Sequence, residues 1–142
     1  MRLTAVTIEN FKGIRAPVRV ELKPITLLFG PNSAGKSTIV QALHYAHEIF
    51  ERRNVDPGRT LMGGEAIELG GFDSLVHGQD RSRVVRITFD LDVANSDLPV
   101  YRVPDVTNIS DFDVDLSDRV KSARVGISIA WSELLARPIL KR

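Results

Sequence analysis

The residues best suited to chemistry form one octapeptide, Gly30-Pro31-Asn32-Ser33-Ala34-Gly35-Lys36-Ser37. It fills every fixed position of the Walker A pattern, G-x-x-x-x-G-K-[ST]. That spacing suits a loop between a strand and a helix. Such a loop turns its backbone N–H groups around a phosphate, and the helix N-terminus adds its positive dipole end. Gly35 allows backbone angles that a β-carbon would hinder. Lys36, the candidate catalytic residue, brings a point charge to the β- and γ-phosphates, and the Ser37 hydroxyl is placed to ligate Mg²⁺. Thr38 follows, within reach of the α-phosphate. The octapeptide thus predicts a site for a nucleoside triphosphate, ATP with Mg²⁺.

The flanking elements fit that context. Ile25-Thr26-Leu27-Leu28-Phe29, bounded by Pro24 and Gly30, reads as a strand buried on both faces of a sheet. Downstream, Ile39, Leu43, Ala46, His47 and Phe50 recur at helical spacing and predict one apolar face on a helix over 36–53. Upstream, Leu3 to Glu9 and Val18 to Leu22 read as strands, with a turn at Asn10-Phe11-Lys12-Gly13. Residues 54–82 are irregular apart from a short helix near 72–76. Val84 to Val93 alternates as a long strand, with Val85, Ile87, Phe89, Leu91 and Val93 on one face. Residues 95–117 are acidic loop with a short strand near Tyr101, Val125 to Trp131 forms a last strand, and Glu133 opens a helix that Pro138 disturbs.

With 142 residues, the chain is long enough for one domain with its own core. Its net charge of +1 excludes a bulk electrostatic pull toward nucleic acid or anionic membrane. Residues 1–60 carry nine Lys/Arg and five Asp/Glu, residues 61–142 ten and thirteen, so the front half is the basic one. The absence of cysteine excludes disulfides, thiolate zinc sites and cysteine nucleophiles. No apolar run approaches the roughly 20 residues that span a bilayer. A cytoplasmic protein is expected.

Leu3 to Ile14, with its Asn10-Phe11-Lys12-Gly13 turn, resembles the opening of RecF, SMC and OLD-type ATPases, members of the ABC-ATPase branch of P-loop proteins. Pro31 to Ser37 most resembles the OLD and "AAA family ATPase" subgroup, with Ser33 where RecF and SMC proteins usually carry Gly. Gly71-Phe72-Asp73-Ser74-Leu75-Val76-His77-Gly78 is similar to a segment of that subgroup. The resemblance implies an α/β fold: a mixed sheet with the P-loop strand at its centre, plus an antiparallel β layer. It also implies that Asn32 contacts phosphate or orders the loop, and that Lys12 and Gly13 approach the nucleotide from the side. Residues 1–142 would form the N-terminal lobe of an ATPase that assembles as a dimer or larger, with DNA as a candidate partner.

Two parts of that family's machinery are not apparent. Val84 to Asp90 ends in Asp, but it alternates and lacks the Glu that closes a Walker B strand. Leu61-Met62-Gly63-Gly64-Glu65 looks like a signature motif yet lies too soon after the P-loop, and Gln79 precedes the strand that should lead to the metal-contacting glutamine. The chain alone is therefore expected to bind nucleotide without efficient hydrolysis. His44 and His47 have metal-compatible spacing but no obvious carboxylate partner, so His47 is expected to pack. Asp111 to Asp115 resembles a calcium loop, except that Leu116 and Ser122 stand where Gly and Glu are required. Arg81, Arg83 and Arg86 form a basic cluster best read as a charged strand face. Two other functions are weighed: a self-contained P-loop kinase, with Arg59, Arg81 and Arg83 as lid residues, and a non-catalytic nucleotide-binding module.

Overall fold

The computed structural model describes residues 1–141 except 33–34, 60, 63–64, 67–68, 95, 97–100, 104–111 and 115–119. In chain order the elements are β1 (Arg2–Glu9), β2 (Val18–Glu21), α1 (Lys36–Arg52), β3 (Leu61–Met62), β4 (Glu65–Ala66), α2 (Gly71–Leu75), β5 (Val85–Asp92), β6 (Tyr101–Val103), β7 (Phe112–Val114), β8 (Ser122–Ser132) and β9 (Arg137–Leu140). Five strands form one sheet in the order β2-β1-β5-β8-β9. Every neighbouring pair is antiparallel, and the centre is pinned by the registers Ile8↔Ile87 and Ile87↔Ile127.

Period-two alternation explains the two faces of this sheet. Val6, Ile8, Val85, Ile87, Ile127 and Ile129 are buried together with Ala42, Tyr45, Ala46 and Ile49 of α1 and Phe72 and Leu75 of α2. The opposite face is charged. Asp90 accepts from Arg124 at 2.6 Å and from Arg19, so one carboxylate ties β5 to both β8 and β2. Arg86 pairs with Glu9 at 3.0 Å, and Arg2 with Asp92 at 3.3 Å.

The predicted strand over 25–29 is not formed. Leu22 N–H makes the last bond to β1, at Thr4 O, and a local turn then diverts the chain, with Lys23 N–H donating to Thr26 Oγ1 at 2.9 Å. Pro24 has no N–H to continue the ladder. Ile25, Leu27 and Phe29 are 81%, 69% and 85% exposed, the reverse of the expected burial. The described sheet is therefore antiparallel rather than mixed, and it does not contain the P-loop strand expected at its centre.

Two further expectations change. The α1 stripe is rotated in part: Ile39, Leu43 and Ala46 pack against the core as expected, joined by Ala42, Tyr45 and Ile49, while His47 and Phe50 are exposed beside an open apolar groove with Met1, Leu3, Phe89, Leu91 and Val125. Glu48 is buried instead, with one carboxylate oxygen 3.3 Å from Arg52 and the other without a partner among the described residues. The chain after Glu133 makes a hairpin rather than a helix. Ala136 takes a left-handed φ of 47° in the turn, and Pro138 sits in β9, an edge strand that tolerates a missing donor. Residues 112–114 of the acidic stretch are strand β7; Asp111 and Asp115 lie outside the described residues.

Arg124, then Arg19, holds the Asp90 carboxyl at about 2, below its ordinary range. Its stabilising contribution is present above the unfolded value near 3.9 and is lost as pH falls through about 2. Asp90→Asn should lower the thermal midpoint at pH 7, and the gap from the parent should close as pH falls to about 2. Thermal unfolding across pH checks this.

Candidate functional site

The Gly30–Ser37 loop is built around its lysine. The Lys36 ammonium donates to the carbonyls of Gly30 and Pro31, each at 2.7 Å, drawing the start of the loop over the start of α1. Gly30 and Gly35 have φ of 147° and 86°, angles that β-carbons resist. Gly35 is also the N-cap of the 17-residue α1, and its carbonyl accepts from Ile39 N–H at 3.1 Å. No side chain caps this helix end and its first turn holds no acid, so its N–H groups and dipole face whatever lies in the loop. Ser37 is exposed and Thr38 half-buried at the same end, and Asn32 is exposed. Ser33 and Ala34 lie outside the described residues.

Lys12 and Gly13 sit on the turn after β1. Phe11 N–H and Ile14 N–H each bond the other's carbonyl at 2.9 Å, and Phe11 packs on Tyr45 with ring centroids 6.4 Å apart. The turn thus rests directly on α1. Burial lowers the Lys12 pKa. No described hydrogen bond joins Lys12 or Gly13 to the 30–38 loop. An added β-carbon at Gly13 would meet open space.

The other candidates fall into place as structure. Asp90 points to the charged face, opposite the face that carries α1, and both its oxygens are engaged by arginine, so it cannot serve a metal at the loop. Within the 61–65 segment, Met62 pairs with Glu65 between β3 and β4; Gly63 and Gly64 lie outside the described residues. Gln79 is exposed in a one-turn helix (His77–Gln79) with φ 57°. Arg81 forks onto Asp73 at 2.5 and 2.6 Å and lies 4.2 Å over the Trp131 ring, while Arg83 pairs with Asp80 at 3.0 Å. Arginines so engaged are poorly placed to act as a lid. Among the described residues no cluster of three His, Asp or Glu side chains could hold a metal, and no helix is long and apolar enough to cross a membrane.

Sequence reasoning missed the network behind the Lys12 turn. Asn10 donates to Val84 O at 3.0 Å, and His77 contacts both Asn10 and Lys12. The Gly71–Gly78 resemblance was the available signal, but it carried no geometry. An open trough of about 580 Å³ lies between 53–56 and 137–140, away from the loop.

An opening strand, a turn, a glycine-lysine loop and a following helix define a nucleotide-binding, ATPase-type domain, and comparison with known proteins agrees. The AAA ATPase domain family matches residues 1–124, and the chain belongs to that family. It is similar to the DNA replication and repair protein RecF of Chlorobium luteolum, 38% identical over 98 residues, covering 61% of this chain and 27% of that protein. It also resembles the chromosome partition protein Smc of Mycobacterium tuberculosis, 28% identical over 105 residues, covering 70% of this chain and 8% of that protein. The chain therefore spans less than a third of the length of these relatives.

Gly35→Ala would force a β-carbon into the left-handed region at φ 86°. Urea unfolding should show a loss of about 1–2 kcal/mol. The space around Gly35 is open, so conformation rather than collision would cause the loss.

Proposed function

We propose that Gly30–Ser37 is a Walker A loop holding the phosphates of ATP, within the N-terminal lobe (residues 1–142) of an ABC-type, RecF/SMC/OLD-like ATPase. One observation carries this reading: Lys36 uses two of its three N–H donors on the Gly30 and Pro31 carbonyls, which arches the loop over an uncapped helix N-terminus. The third donor remains for a phosphate. The backbone N–H groups of residues 32–37 would face the β-phosphate, with Pro31, Asn32, Ser33 and Ala34 shaping the loop. Ser37 supplies a hydroxyl suited to Mg²⁺, Thr38 reaches toward the α-phosphate, and Lys12 and Gly13 approach from the side. A bound Mg²⁺ would neutralise phosphate charge and orient the γ-phosphoryl group.

Lys36 and the helix dipole bind and polarise the triphosphate; positioning a water for hydrolysis requires a carboxylate that the described residues do not offer at this loop. In this reading the lobe binds nucleotide, and efficient turnover requires further elements. The relatives' names, a DNA replication and repair protein and a chromosome partition protein, support action on DNA by the whole protein, for which we propose assembly as a dimer in the cytoplasm. The engaged state of Arg81 and Arg83 speaks against a self-contained kinase.

Lys36→Ala should weaken binding of ATP with Mg²⁺ by about 100-fold or more, the loss expected when a charge-assisted phosphate contact and the loop's own brace disappear together. Calorimetric titration measures it. An unchanged affinity would contradict the loop assignment.

A further inference from the structure

The end of α2 and the segment after it grip the Lys12 turn at three points. Lys12 N–H donates to Leu75 O at 2.7 Å, and His77 N–H donates to Asn10 O at 3.0 Å. The third contact is the His77 ring, whose Nδ1 lies 2.8 Å from Lys12 O. A carbonyl oxygen can only accept, so this contact requires a proton on Nδ1. The turn needs such bracing. Asn10 and Lys12 both have left-handed φ, 55° and 48°, a conformation that non-glycine residues adopt at a cost.

The bracing also has a direction. Phe11 enters the core against Tyr45, while Lys12 is only half-buried. Its ammonium has no carboxylate within ion-pair distance among the described residues. Most arginines of the charged face, by contrast, are matched to an acid. Burial already lowers the Lys12 pKa, so an arriving anion would gain from a partly desolvated cation. Tyr45 lies nine residues after Lys36 on α1, about 13 Å along the axis. The Lys12 side chain and an extended polyphosphate together can bridge that gap.

We infer that His77 is a positioning residue: by holding the Lys12 carbonyl and the Asn10 carbonyl together, it fixes the direction in which the unmatched Lys12 ammonium meets an anionic ligand. The ligand is the triphosphate of the loop, so the inference rests on the Walker A reading. His77 itself touches no phosphate. Its effect on binding passes entirely through Lys12.

A double-mutant cycle tests this on the intact protein, with ATP and Mg²⁺ titrated calorimetrically and Lys36→Ala as control. Lys12→Ala and His77→Ala should each weaken binding about tenfold, the scale of one hydrogen bond to a charged group. The double variant should bind no worse than Lys12→Ala alone, because the two act as one unit. His77→Asn, whose amide N–H occupies the place of Nδ1–H, should bind within about twofold of the parent. That rescue separates positioning from folding, since Asn restores the donor but not the ring. Losses that multiply in the double variant, or a His77→Asn as weak as His77→Ala, would overturn the inference. So would a Lys12→Ala without effect. If Lys36→Ala abolishes binding in that case, the loop reading stands and only the His77 inference falls; if Lys36→Ala binds as the parent does, both fall.

Discussion

The arrangement depends on how α1 is seated on the sheet, and Tyr45 is the centre of that seat. Its ring is fully buried against Phe11, and its hydroxyl donates to Val55 O at 2.6 Å. One side chain thereby fixes the helix to the β1 turn and to the chain that leaves its C-terminus. Burial, reinforced by the Asp56 carboxylate, holds the phenol protonated far above its ordinary range. A helix anchored at its middle has a defined N-terminus, and there Lys36 braces its loop. The same contact places Lys12, next to Phe11 in sequence, beside the helix that carries the loop.

The two faces of the sheet divide the work. The apolar face carries α1 and α2, and so the loop and the Lys12 turn. The opposite face carries matched charges, with Asp90 bridging three strands through Arg19 and Arg124. Pairs of this kind on an exposed face each contribute modestly, but they specify register, since a slip of one residue would turn the charges inward. Much of the positive charge on this face is thereby compensated: Arg2, Arg19 and Arg86 are each matched by an acid. Lys12 and Lys36 differ, one without a carboxylate partner among the described residues and the other resting on carbonyls.

Much of this was legible in the sequence. The octapeptide, the turn at 10–13, strand β1 and the alternation of β5 all follow from local pattern, which short-range backbone chemistry enforces. What could not be read is tertiary. Ile25 to Phe29 has the composition of a buried strand, but burial needs pairing partners, and none of the described strands supplies one. The α1 stripe departs from its apolar pattern where Glu48 is buried and Phe50 exposed, a placement that depends on what the sheet offers rather than on helical period. The tail hairpin depends on Ala136 accepting a left-handed φ, which its residue type does not announce. His77 was invisible as part of a site because its role is two hydrogen bonds to carbonyls 65 and 67 residues away.

The central claim is that a triphosphate sits in the arch between Gly30 and Ser37. The most direct measurement is the change in backbone amide chemical shifts when ATP with Mg²⁺ is added to the protein. The largest changes should fall on the amides of Gly30 and residues 32–38, with smaller ones at Lys12 and Gly13. Changes centred on the trough formed by residues 53–56 and 137–140, with the loop amides unmoved, would contradict it.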